Sequence, residues 1–115
     1  MNLGRRVKFI KGAKTYNFLL DRNVERLARF FPRGRVKTVS QVNLPESAPD
    51  LEIVKAAWNG QSTIVTADKD DFPPAMVKFR RQQGGKSCPC LFWSDHSSEW
   101  ASDADTALAE PPPGP

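Results

Sequence analysis

The sequence predicts an α/β fold built on a central, mainly parallel sheet. Apolar runs at Tyr16–Leu20, Val36–Val42 and Ser62–Ala67 alternate with helical patterns. That strand, helix, strand, helix, strand rhythm calls for parallel strands joined by right-handed crossovers. The third run, S-T-I-V-T-A, is short, apolar and β-branched, as suits a strand covered on both faces. Two of the runs end abruptly in carboxylates, at Asp21 and at Asp68. Parallel sheets bind ligands just beyond the carboxyl ends of their strands, so acids placed there are candidates for chemistry.

Along the chain, residues 1–14 form a basic extension whose strong apolar content is Val7, Phe9 and Ile10. A loose arm, a short edge strand and an upstream part of the domain all stay open for it. Tyr16–Leu20 (Y-N-F-L-L) is the first core strand. Val24, Leu27, Ala28 and Phe31 then fall at i, i+3, i+4 and i+7, one face of a helix over Val24–Phe31. Asn23 is its expected N-cap, and Pro32-Arg33-Gly34 stops it. Val36–Val42 reads as the second strand. Ser47 stands three residues before Asp50, a helix-start pattern, and opens a helix over Asp50–Asn59. Its apolar stripe is Leu51, Ile53, Val54, Ala57 and Trp58, and Asn59-Gly60 closes it.

After the third strand, Pro73 and Pro74 mark a helix start for Ala75–Gln83, and Gly84-Gly85 ends it. Ser87–Trp93 is a fourth strand, expected at an edge because Pro89 has no N–H for a ladder. A short helix is expected near Glu99–Leu108, then a disordered Pro-rich tail over Glu110–Pro115. The domain core is thus 15–94, with 1–14 before it and 95–115 as a C-terminal segment.

The chain has 115 residues, 39% hydrophobic and 26% charged, a composition that fits one small soluble domain. No apolar run approaches the roughly 20 residues of a membrane span, and the N-terminus lacks a secretory signal pattern. The expected location is cytoplasmic, with no membrane partner. Cys88 and Cys90 are one residue apart, too close for an unstrained disulfide, and read as small apolar side chains in a strand. The sole histidine, His96, lies in a polar stretch and reads as a surface residue, which leaves no Ser-His-Asp or Cys-His arrangement. Charge is strongly divided: residues 1–37 carry eleven Lys and Arg against two acids, and the remainder six against eleven. A basic half beside an acidic cluster suits a polyanionic substrate.

The acids define the candidate centre. If the first and third strands are neighbours, Asp21 and Asp68 meet at one sheet edge, and the helix opened by Asp50 begins near it. With Asp70 or Asp71 they form a like-charged group that a hard divalent cation, Mg²⁺ or Mn²⁺, would relieve. The fitting chemistry is phosphodiester hydrolysis. Plainer roles exist for each acid: Asp50 can be a helix cap, and Asp70 or Asp71 can cap the helix that follows. Trp58 and Phe79 read as core. Trp93 and Trp100 are open to stacking on a base or a partner protein.

These residues resemble a known family. D-R-N at Asp21–Asn23, after an apolar strand, looks like the D-x-N that opens PIN domains. T-A-D-K-D-D-F at Thr66–Phe72 is similar to their T-x-D-x-D-F signature. A-P-D-L-E-I at Ala48–Ile53, before an alanine-containing helix, resembles short stand-alone PIN-like proteins. The resemblance spans residues 16–93. It implies a three-layer α/β/α fold, a Mg²⁺- or Mn²⁺-dependent ribonuclease, and the toxin role in a toxin–antitoxin pair, with an antitoxin protein as partner. Asp21 matches the first metal-binding acid and Asn23 its hydrogen-bonding companion, with Thr66 in support. Asp50 matches the acid opening the central helix, and Asp68 the acid after the third strand. The family pattern has one residue fewer before Phe72, so Asp70 or Asp71 fills the fourth place. Position 22, often acidic in the short PIN-like proteins, is Arg22. Arg22, Arg26, Arg29 and Lys69 are candidates for phosphate contacts, and aromatics near the C-terminus are compatible with a homodimer. A catalytically inactive PIN-like module, binding nucleic acid or a partner protein, is the alternative.

Overall fold

The computed structural model describes residues 7, 13–45, 47–68, 70, 72–85, 88, 90–93 and 101–102. Its sheet has the order β2-β1-β3-β4-β5: β1 is Asn17–Leu20, β2 Val36–Thr38, β3 Ser62–Thr66, β4 Cys90–Phe92 and β5 Ala101–Ser102. The first four strands are parallel, and β5 pairs with β4 antiparallel. The expected α/β class with a mainly parallel sheet is what the chain forms.

The helices cover both faces of that sheet. A short 3-10 turn, η1 (Ala13–Thr15), precedes β1, and a nine-residue 3-10 helix, η2 (Arg22–Phe30), joins β1 to β2. The α-helices are α1 (Asp50–Asn59) before β3 and α2 (Phe72–Gln82) after it. Strand side chains alternate between faces, so one strand serves two cores. Leu19 and Ile64 pack with Ile53, Val54 and Ala57 of α1 and with Phe72, Met76 and Phe79 of α2. Phe18, Leu20 and Val65 pack on the other side with Val24, Leu27 and Phe31. Val7, in the basic extension, is buried in this second core. Trp58 and Phe79 pack edge-on, with ring centroids 5.7 Å apart, which agrees with their reading as core.

Several elements differ from expectation for identifiable reasons. The second strand stops at Thr38, and Val39–Val42 turns into a short 3-10 helix, η3. Gln41 bends back so that its Oε1 accepts the Thr38 N–H at 2.9 Å, a local bond that competes with the ladder. Ser47 does not cap α1. Pro49 holds that position, and the helix starts on Asp50 itself. The helix α2 begins at Phe72, with both prolines in its first turn, where a missing N–H costs no helical bond. The fourth strand is not an edge strand, because β5 covers it. Ala101–Ser102 is therefore strand where a helix was expected; the rest of Glu99–Leu108, and the Pro-rich tail, lie outside the described residues. No helix among the described residues is long and apolar enough to cross a membrane.

Candidate active site at the exit of β1 and β3

The chain leaves β1 leftward to β2, then crosses back over β1 to form β3. The strand order therefore reverses between β1 and β3, and open α/β sheets form their binding crevice outside such a switch point. The register pairs Leu20 with Val65, and the Asp21 N–H donates to the Val65 carbonyl at 2.8 Å, which extends the ladder by one residue. Asp21 and the residues after Thr66 thus leave the sheet side by side.

Asp21 is only 8% exposed, which is low for a carboxylate and calls for partners. Its Oδ1 accepts the Arg22 N–H at 2.8 Å, capping η2. Its Oδ2 accepts the Thr66 hydroxyl at 2.8 Å. Thr66 is fully buried, and the same oxygen accepts the Asp68 N–H at 3.0 Å. One hydroxyl that donates to one acid and accepts from the backbone of another links Asp21 to Asp68. Asp68 Oδ1 in turn accepts the Asp70 N–H at 3.1 Å, an Asx turn that shapes the loop into α2. Asn23 supplies a second bridge, its Oδ1 accepting the Ala67 N–H at 3.2 Å. That engagement explains why Asn23 is not the helix cap: its oxygen faces β3, and Asp21 caps η2 instead.

The structure therefore draws together Asp21, Asn23, Thr66, Asp68 and Asp70. Asp68 is half-buried and Asp70 exposed. Asp50 is the first residue of α1, which runs antiparallel to β3, so topology brings it to the same edge. Asp71 and Lys69 lie outside the described residues, as do His96 and Trp100. Among the described residues, no three His, Cys, Asp or Glu side chains gather as a group able to hold a metal ion.

No family model, curated protein or solved structure matches the chain.

The basic candidates have distinct surroundings. The Arg22 guanidinium donates to the Pro45 carbonyl at 2.6 Å, tying η2 to the loop that leads into α1. Arg26 and Arg29 are exposed on η2, and Arg29 lies 4.7 Å from the centroid of the Phe30 ring. Trp93 donates its backbone N–H to the Thr66 carbonyl, and its side chain, 2% exposed in the second core, is not a stacking platform. The Pro45 carbonyl and the Ala67 N–H carried no signal in the sequence, because backbone groups have no residue type to reveal them.

Proposed function

We propose that the chain is a PIN-like, metal-dependent endoribonuclease, hydrolysing RNA phosphodiester bonds at the edge where β1 and β3 part. The observation that carries this reading is the Asp21–Thr66–Asp68 link at the switch point of a parallel sheet. Acids delivered to the crevice end of a parallel sheet are where a hydrolytic cation would be held. The donor set is all oxygen, which fits Mg²⁺ or Mn²⁺. Asp21 and Asp68 would hold such an ion, with Asp50 and one of Asp70 or Asp71 completing its shell. The ion would supply charge neutralisation at the phosphate under attack. The protein's own part is to fix the two acids through Thr66, to hold the β3 exit through Asn23, and to draw in the polyanion with its basic half.

The toxin role, an antitoxin partner and a cytoplasmic location belong to the same proposal. They are supported by the resemblance of Asp21–Asn23, Ala48–Ile53 and Thr66–Phe72 to the short PIN-like proteins.

One observation favours a second reading, a non-catalytic module that binds nucleic acid or a partner protein. Both Asp21 oxygens already accept hydrogen bonds, from Arg22 and Thr66, so a purely structural role accounts for its burial. Calorimetric titration with Mn²⁺ separates the readings. The nuclease reading predicts binding that disappears in both Asp21→Asn and Asp68→Asn. Absence of binding to the unaltered chain, or equal binding to the variants, favours the module.

A further inference from the structure

Helix η2 keeps 3-10 geometry for nine residues, although such runs rarely exceed three or four. In a 3-10 helix, side chains at i and i+3 eclipse, so every third residue stands in one straight row. An α-helix would rotate that row away, because three residues fall short of a full turn. Exposure along η2 follows the period of three: Val24 and Leu27 are buried, while Asn23, Arg26 and Arg29 are exposed.

The row has a definite start and direction. It begins at Asn23, whose Oδ1 holds the Ala67 N–H one residue before Asp68. It runs along η2 to Arg29, about 12 Å at about 2 Å per residue. Arg26 leans along it, donating to the Asn23 carbonyl at 2.7 Å. Arg29 closes it above the half-buried Phe30 ring, and the exposed Arg33 follows in the turn. Glu25 is the acid of the same helix. It faces Ser40, accepting both the Ser40 hydroxyl at 2.8 Å and its N–H at 3.3 Å.

We infer that the Asn23–Arg26–Arg29 row is a phosphate track, carrying one single-stranded nucleic acid away from the Asp21 and Asp68 centre. A straight line of guanidinium groups suits a single backbone, and an aromatic ring beneath the last of them suits an unpaired base. Where the strand begins rests on the nuclease reading. The track itself does not, since it needs no metal.

The test is fluorescence anisotropy with a labelled single-stranded oligouridine, titrated with salt in the presence of chelator. The double variant Arg26→Gln with Arg29→Gln is compared with Lys78→Gln with Arg81→Gln, which removes the same charge from exposed sites on α2. Losing two phosphate contacts predicts a log–log salt slope shallower by about 1.4 and affinity lower by roughly 25-fold near 0.1 M salt. The α2 variant is expected to stay within about twofold of the unaltered chain. Equal losses in the two variants, or no loss in the η2 variant, overturn the track. Because no metal is present, these outcomes are independent of cleavage: a working track without cleavage removes only the nuclease reading, and cleavage without the track removes only this inference.

Discussion

The Thr66 hydroxyl donates to Asp21 Oδ2 at 2.8 Å, joining two residues 45 positions apart across the point where the strand order reverses. The contact is buried at both ends, and the same oxygen fixes the Asp68 backbone. Replacing Thr66 by Val keeps the shape and removes both bonds. A buried carboxylate oxygen then loses its donor, which costs about 2 kcal/mol. Urea denaturation is expected to show that loss, with Thr66→Ser recovering much of it.

Thr63 gives the opposite sign for the same substitution. It is 2% exposed on β3, and its Oγ1 has no hydrogen-bond partner among the described residues. Thr63→Val removes a buried polar atom that contributes nothing in return, so stability should rise by about 1 kcal/mol. A lower urea midpoint for Thr63→Val would mean that its hydroxyl is satisfied in solution.

Gly34 sits in the turn between η2 and β2 with φ +82°, and beyond its chain neighbours a Cβ there would meet no atom of the described residues within 4 Å. Gly34→Ala therefore tests backbone conformation without a steric contribution. The left-handed backbone costs an L-residue about 1 kcal/mol, and thermal melting should show a loss of that size.

Cys88 and Cys90 are buried thiols with 3% and 1% exposure, packed beside Val54 and Ile64. Buried thiols in apolar surroundings are inert. A chromogenic disulfide reagent should titrate neither at a measurable rate in the folded protein and both in denaturant. Rapid labelling of the folded protein would contradict that packing.

The parts of this fold legible in the sequence are those written in consecutive residues. Asn17–Leu20 and Ser62–Thr66 are apolar runs ending at acids, and α1 begins and ends at Asp50 and Asn59 as its pattern predicts. Helix type was not legible in Val24–Phe31, because Val24 and Leu27 satisfy a period of 3 as well as one of 3.6. The β-branched Val36, Val39 and Val42 favoured a long strand, but the Gln41–Thr38 bond breaks it after three residues. A two-residue strand such as Ala101–Ser102 leaves no periodic signal. At the site, Asp21 and Asp68 were legible as strand-end acids. Their link through Thr66, and the turn of Asn23 toward Ala67, depend on which strands become neighbours, and that is a property of the whole sheet.

The most direct test of the proposed centre is RNA cleavage by the purified chain and by Asp21→Asn. Asparagine still accepts a hydrogen bond and caps helices as well as aspartate does, so the variant should keep its fold by circular dichroism. It loses the negative charge and one of the two acceptor oxygens, and its amide N–H can donate to the Thr66 hydroxyl in place of accepting from it. Cleavage by the unaltered chain that needs Mg²⁺ or Mn²⁺ and falls to background in Asp21→Asn is the predicted result. Cleavage that persists in chelator, or in the folded Asp21→Asn protein, would contradict it.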